Sequence, residues 1–341
     1  MALILVMLDR YGRPLEDLRI TLTHTCNFSC FFCHMEGEPL VENLLSPSQL
    51  AVVTRVAREF GVDSVKLTGG EPTLRRDLLD VISAIKSTGV EDLSMTTNGV
   101  LLAKLARKLK DAGLDRVNVS LHAISRDGFR RVTGVDAFNT VLGGVRAALE
   151  AGLRPLKLNY VVNSYNESET LDFLELAQSL GVDEVHLIEL HPVGLGKQTF
   201  SAHVGLDRLE EKLSQITKRI EQRSKHMRPR YKLSSGMVVE VVRPYRNPLF
   251  CSGCNRIRLT TKGELKTCLY REDKVVDISE VLNGAYGEEE KIDFIRTAFR
   301  TALLIREPNF KYYPRDDGIK NFKVGTNYSG LRLLRPTIGF S

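Results

Sequence analysis

The sequence predicts an α/β fold, a partial (βα)6 barrel of parallel strands followed by a smaller C-terminal unit. Three observations carry this. A motif of glycine, apolar, polar, any residue, apolar recurs as GVDSV at Gly61, GVEDL at Gly89, GLDRV at Gly113, GLRPL at Gly152 and GVDEV at Gly181, at intervals of 24 to 39 residues. Glycine just past a helix end, opening a β-branched run, is the αβ loop of a βαβ unit, and the spacing fits one strand plus one crossover helix. Second, one face is polar in five of the six expected strands. Third, the other notable motifs fall in the loops that follow the strands.

Taken in order, the first strand is the run from Leu18 to Thr23, followed by a loop holding Cys26, Cys30 and Cys33. The first helix is announced by Ser46, Pro47 and Gln49, an N-cap, a first-turn proline and a capping-box partner. The glycine motifs then open five more strands, giving six units over roughly residues 18 to 223. After the strands come Gly69-Gly70-Glu71-Pro72, Thr96-Thr97-Asn98-Gly99, Ser120-Leu121-His122-Ala123 and Glu189-Leu190-His191-Pro192. That rim is where barrel enzymes place their chemistry. A Gly-Gly pair there lets backbone approach a bound amino or carboxylate group with no Cβ in the way. The expected division is a barrel over residues 1–225 and a C-terminal unit over 226–341.

Side chains alternate along a strand, so Arg19, Thr21 and Thr23 share a face, as do Lys66 and Thr68, Ser94 and Thr96, Asn118 and Ser120, and Lys157 and Asn159. The opposite faces carry Leu18, Ile20 and Leu22, Val65 and Leu67, Val117 and Val119, and Leu156, Leu158 and Tyr160. Sheets covered by helices on both sides read as near-continuous apolar strands. A polar face repeated over five strands therefore points to a wet, ligand-filled lumen. Lys157, expected in mid-strand, is a costly residue to bury without a partner.

At 341 residues and 43% hydrophobic composition, the chain is long enough for one large core and an appended unit. No segment approaches the ~18 consecutive apolar residues of a membrane span. The opening MALILVML meets Asp9 and Arg10 at once and reads as a strand or packed arm rather than a signal peptide. A net charge of +6 without a Lys/Arg run argues against nucleic acid as partner and for cations placed singly around a small anion. All six cysteines fall in two triads, Cys26-x3-Cys30-x2-Cys33 and Cys251-x2-Cys254-x13-Cys268. Such clustering fits a reducing compartment, the cytoplasm.

Three thiolates hold an iron–sulfur cube by three irons and leave the fourth open. A structural zinc site wants four closed ligands. His24 and His34 flank the first triad as candidate fourth ligands, although its spacing suits a cube better; the Cys251-x2-Cys254 pair is a common zinc half-site with no evident completion.

The first triad followed by Gly69-Gly70-Glu71-Pro72 resembles the radical S-adenosylmethionine (SAM) superfamily. The second triad, with Asn255-Arg256-Ile257-Arg258 inside it, narrows the resemblance to the GTP 3′,8-cyclase family of molybdenum cofactor biosynthesis, from about residue 10 to the C-terminus. The resemblance implies a lyase with two [4Fe–4S] clusters and SAM, which forms (8S)-3′,8-cyclo-7,8-dihydro-GTP through a 5′-deoxyadenosyl radical that takes the 3′ hydrogen of GTP. It implies that Cys26, Cys30 and Cys33 hold the first cluster and Cys251, Cys254 and Cys268 the second. Phe32, Gly70, Ser120 and His191 would meet SAM, with Phe32 standing where tyrosine is more frequent and His191 where methionine is. Arg19, Lys66, Thr96, Lys157, Arg256 and Arg258 would meet GTP, the last two as catalytic residues. Implied partners are GTP, an external electron donor and, in sequence, cyclic pyranopterin monophosphate synthase; a homodimer is admitted by the resemblance alone. The chain ends in Gly339-Phe340-Ser341 where the family commonly ends in Gly-Gly.

Blander readings stand beside these. Arg256 and Arg258 would also serve to shield a negatively charged cluster, and a rim histidine such as His122 is more often a hydrogen-bonding partner than a base. Two rival functions remain at this stage: a radical SAM enzyme acting on peptides or tetrapyrrole side chains, and a zinc-stapled binding module. The first usually carries more C-terminal cysteines and lacks the lumen cations. The second leaves the GGEP loop and the polar lumen unexplained.

Overall fold

The computed structural model describes residues 7–38, 44–311 and 321–323. Most of the opening apolar run and the whole Gly339-Phe340-Ser341 end lie outside the described residues. Strands and helices alternate as β1 (Asp17–Thr21), α1 (Pro47–Glu59), β2 (Ser64–Thr68), α2 (Leu78–Lys86), β3 (Asp92–Thr97), α3 (Leu102–Asp111) and β4 (Arg116–Ser120). There follow α4 (Arg126–Thr133), α5 (Phe138–Glu150), β5 (Lys157–Val162), α6 (Thr170–Ser179), β6 (Glu184–Glu189) and α7 (Asp207–Ile216). The five punctuating glycines all take positive φ, from 73° to 107°, closing the helices as expected. The longest interval, from Gly113 to Gly152, holds two helices instead of one. Ser46 and Gln49 form the reciprocal capping box, with Pro47 in the first turn of α1.

The chain continues through the hairpin of β7 (Thr217–Arg223) and β8 (Arg228–Leu233), then β9 (Val238–Val242), α8 (Pro248–Ser252) and β10 (Arg256–Leu259). It closes with β11 (Glu264–Lys266), β12 (Val275–Asp277), α9 (Ser279–Asn283), α10 (Glu288–Ile305) and β13 (Asn321–Lys323). Residues 217–223, counted above within the sixth unit, are thus a strand, and residue 225 falls in the turn of that hairpin.

One sheet runs in the order β13-β12-β11-β10-β1-β2-β3-β4-β5-β6-β9-β8-β7. From β10 to β9 every neighbouring pair is parallel. Two parallel strands therefore flank the six that the sequence shows, and both come from the C-terminal part of the chain. On the convex face Ile20, Leu67, Met95, Val119, Leu158 and Leu187 are fully buried beneath the helices. Each stabilises the fold by about 1.5–3 kcal/mol relative to exposure. The ring of Phe60 after α1 packs 5.4 Å from Phe299 of α10, joining the C-terminal helix to the same core. No helix among the described residues is long and apolar enough to cross a membrane.

Candidate active site

The six cysteines and the residues assigned above to SAM and GTP all line one cavity of about 400 Å³ on the concave face, whereas His24, weighed above as a zinc ligand, is not in its lining. Cys26, Cys30, Cys33, Phe32, Gly70, Ser120 and His191 lie with strand-end loops; Arg19, Lys66, Thr96 and Lys157 project from strands; Arg256 and Arg258 sit on β10, between Cys251 and Cys254 on one side and Cys268 on the other.

The first cysteine loop is held from several directions. Asn98 Nδ2 donates to Asn27 Oδ1 at 2.7 Å, Ser29 N–H donates to the Thr133 carbonyl, and Leu195 N–H donates to the Cys33 carbonyl at 2.9 Å. The two glycines serve this loop directly. A Cβ at Gly69 would stand 2.4 Å from the Thr23 carbonyl oxygen and one at Gly70 2.3 Å from that of Thr25, so the pair first admits the cysteine loop's own backbone. Glu71 accepts from Asn98 N–H at 2.6 Å and Thr97 Oγ1 at 2.7 Å, tying the GGEP loop to the end of β3. Phe32 meets the His122 ring edge-on at 4.9 Å. His122 Nδ1 accepts from Val161 N–H at 3.1 Å, which leaves the proton on Nε2, and burial pushes its pKa down to about 3.

Past Cys33 the chain turns through Met35 and Glu36 at positive φ of 49° and 51°. This strained turn aims Glu36 at Arg258, with which it forms an ion pair. Gly37 packs against the second cysteine loop, where a Cβ would stand 2.6 Å from the Leu269 carbonyl oxygen. Arg256 Nε donates to Asp17 at 2.7 Å. The Arg256–Asp17 contact follows from register, because β10 pairs with β1 so that Arg256 stands opposite Asp17; the same register sets Arg258 opposite Arg19.

Lysine 157 opens β5 instead of lying inside it, and Glu184 Oε2 meets its ammonium at 2.9 Å. Glu184 belongs to a buried group with His186 and Glu240 that sequence reading missed. Arg228 at 2.7 Å, Arg223 at 3.2 Å and Arg230 at 3.6 Å surround Glu240, and Arg230 also reaches Glu184 at 3.1 Å. Two carboxylates among four cations leave this end of the lumen net positive. His186 stays neutral there, burial pushing its pKa down to about 4. Among the described residues Lys66 meets only Asn118 Oδ1, at 3.3 Å, and Arg19 Nε is buried without a hydrogen-bond partner. Burial first, then Arg116 and Arg19, holds the Lys66 ammonium well below its ordinary pKa. The missed Asp17 and Arg116 sit two positions from Arg19 and Asn118, already placed on the inner face, so extending the alternation one step along those strands finds them; His186 stands opposite Asn159 on β6, a strand whose faces the sequence reading did not assign.

The thiols discriminate between metals. Tetrahedral zinc with Zn–S bonds of about 2.3 Å brings its sulfurs to within roughly 3.8 Å of one another. Among the described residues, three ligating atoms gather within 4.8 Å only at Glu184, His186 and Glu240, and neither triad does so. His24 and His34 are otherwise engaged: His24 Nε2 lies 2.9 Å from Thr261 Oγ1, and His34 Nδ1 accepts from Glu36 N–H at 3.0 Å. Wider triads with no fourth ligand among the described residues suit a cube with one open corner. Burial raises the Cys30 thiol and pushes Cys251 up to about 11, with neighbouring thiols adding to both shifts. Cys254 is instead lowered, because Arg306 and Arg256 more than offset its burial.

Fold and site together define a radical SAM enzyme with two cysteine triads. Residues 20–177 match the Radical SAM superfamily and residues 183–312 the Molybdenum Cofactor Synthesis C family. The chain is 60% identical over 306 residues, 90% of its length and 99% of the relative's, to a protein of Saccharolobus solfataricus named probable GTP 3′,8-cyclase. It is 60% identical over 309 residues, 90% of its length and 97% of the relative's, to one of the same name from Metallosphaera sedula. Its fold is similar to that of Streptococcus suis SuiB bound to S-adenosylmethionine, with a TM-score of 0.61 at 16% identity over 76% of this chain and 62% of SuiB. The chain belongs to the GTP 3′,8-cyclase family.

Proposed function

We propose that this enzyme converts GTP to (8S)-3′,8-cyclo-7,8-dihydro-GTP, the first step of molybdenum cofactor biosynthesis. The observation that carries the reading is a lumen in whose lining cations outnumber carboxylates, with a thiol triad at either side. Cys26, Cys30 and Cys33 would hold one [4Fe–4S] cluster, and Cys251, Cys254 and Cys268 the other. With SAM, the cluster at the first triad would supply the 5′-deoxyadenosyl radical chemistry that removes the 3′ hydrogen of GTP. Gly70, Ser120, Phe32 and His191 bound the SAM side of the cavity. Arg19, Lys66 and Lys157 neutralise and orient the triphosphate by charge-assisted hydrogen bonds, with Thr96 beside them. Arg256 and Arg258, anchored by Asp17 and Glu36, turn their remaining donors to the nucleotide. Val161, Ile188 and Val242 line the same cavity and exclude water and stray hydrogen donors. An external electron donor, a cytoplasmic setting, hand-over to cyclic pyranopterin monophosphate synthase, a homodimer and the division at residue 225 complete the proposal.

The test is 5′-deoxyadenosine formation by anaerobically reconstituted enzyme with SAM, reductant and each nucleoside triphosphate in turn. GTP alone is expected to stimulate it and to give a pterin-convertible product. SAM cleavage indifferent to GTP sinks the reading and returns the peptide or tetrapyrrole alternative.

Charge in the lumen also sets a pH dependence. An arginine keeps its proton even here; burial lowers both lysines, but Glu184 holds the proton on Lys157, so titration falls chiefly on Lys66. The unfolded chain binds a proton that the folded, ligand-free protein releases; stability therefore rises with pH between the lowered value and the ordinary 10.5. A bound triphosphate restores that proton, so GTP affinity falls as pH rises through the same interval. Calorimetric titrations with GTP in buffers of different ionisation enthalpy are expected to show net proton uptake. Lys66→Met should lose most of that uptake and bind GTP about 10- to 100-fold more weakly, as expected for one charge-assisted contact. Equal uptake in the variant removes Lys66 from this role.

A further inference from the structure

A second depression opens on the outer surface at the C-terminal cysteine loop, lined by Arg246, Asn247, Cys251, Asn309, Phe310 and Lys311 among others. Cys251, Asn309 and Phe310 line both this depression and the lumen, so among the described residues the second triad here reaches the surface. The charged groups lining it, Arg246 and Lys311, are both cations and both exposed, and Leu249 beside it is 62% exposed. Arg246 takes φ of +53°, a left-handed conformation uncommon for a side-chain-bearing residue and one that marks functional positions. Its guanidinium carbon lies 5.1 Å from the centre of the Tyr245 ring, and the Lys311 ammonium lies 5.8 Å from the same centre. Asn247 caps α8 by accepting from Phe250 N–H at 3.2 Å, which ties this cationic corner rigidly to Cys251.

Aromatic rings run inward from the depression. Phe310 stacks on Tyr270 at 4.4 Å, Tyr270 lies 5.5 Å from His191, and His191 stacks on His34 at 5.9 Å. Tyr270 follows Cys268 by two residues and His34 adjoins Cys33, so the line of rings touches both triads.

We propose that this depression is the docking face of the external electron donor, a small acidic iron–sulfur protein, and that electrons enter the enzyme at the Cys251 corner. The proposal rests on the reading that both triads hold clusters. Cations with an exposed leucine at a cluster ligand match the weak, charge-steered, small interface of electron-transfer partners. Each event moves one electron: the donor's reduced cluster is oxidised, the cluster at the second triad is reduced, and no bond or proton changes place. The rings give the packed path from there toward Cys33.

The test is stopped-flow oxidation of a reduced, acidic plant-type [2Fe–2S] ferredoxin by the anaerobically reconstituted two-cluster enzyme. The double variant Arg246→Glu with Lys311→Glu is expected to slow the second-order rate about tenfold or more at low ionic strength. The wild-type rate should fall with salt until the difference closes. Dithionite, too small to need docking, should reduce both proteins equally, and their reduced electron paramagnetic resonance spectra should coincide. An unchanged ferredoxin rate in the variant, or a wild-type rate indifferent to salt, overturns the docking face. A wild-type enzyme without a second-cluster signal overturns the underlying cluster reading instead.

Discussion

Replacing Cys30 by serine is expected to abolish SAM cleavage while leaving the rest of the enzyme assembled. Cys30 sits deepest of the first triad in electrostatic terms, its thiol raised by burial and then by Cys33 and Cys26. Losing one of three thiolates leaves an iron without a protein ligand, and the loop, held by Asn98, Thr133 and Leu195, has no other cysteine to offer. Iron and acid-labile sulfide should fall by about half, since the second triad still loads its own cluster. No 5′-deoxyadenosine should be detected above the protein-free background. Persistent cleavage in this variant would mean that the radical is not generated at the first triad.

Removing Arg256 or Arg258 is expected to separate cleavage from cyclisation. Cyclised product should fall on the order of 10²- to 10³-fold, as when a preorganised donor is lost from an active site, while uncoupled 5′-deoxyadenosine continues. A structural role alone predicts something else. Each arginine neutralises a buried carboxylate, Asp17 or Glu36, and stripping one partner from a buried pair costs about 3–5 kcal/mol. The variant Arg256→Gln should therefore melt earlier, and adding Asp17→Asn should recover the melting temperature without recovering product. If the double variant cyclises at the wild-type rate, Arg256 is a neutraliser and not a catalytic residue. Arg256 also lowers the Cys254 thiol, so the resonance spectrum of the second cluster separates a damaged cluster from a misplaced substrate.

Local rules made much of this molecule legible. Glycine after each helix and alternation along each strand are short-range signals, and they placed six strands and the inner face carrying Arg19, Lys66 and Lys157. The pairing of Arg258 with Glu36 was not legible, because it joins residues 222 positions apart through a turn with two non-glycine residues at positive φ. β10 escaped for a related reason. Its four residues, RIRL, are too few to show a period, and only pairing with β1 makes them a strand. The cluster around Glu184 and Glu240 was hidden because its arginines lie on a hairpin whose sequence, read alone, is a solvated charge run. Tertiary proximity turns those charges into the positive end of a cavity.

The parallel pairing of β1 with β10 bears on how the molecule comes into being. While the ribosome is still adding the residues before 256, β1 has a neighbour on one side only, and its other edge presents unpaired backbone groups open to association with other chains. Asp17 and Glu36 await their counter-ions until the same moment. Contacts that span more than 220 residues close slowly, and long unpaired edges are where large chains go astray. The cavity between the triads therefore closes only once β10 has been made, late in synthesis. A chain interrupted before β10 carries a complete first cysteine loop above an open trough, with nothing there to confine a radical.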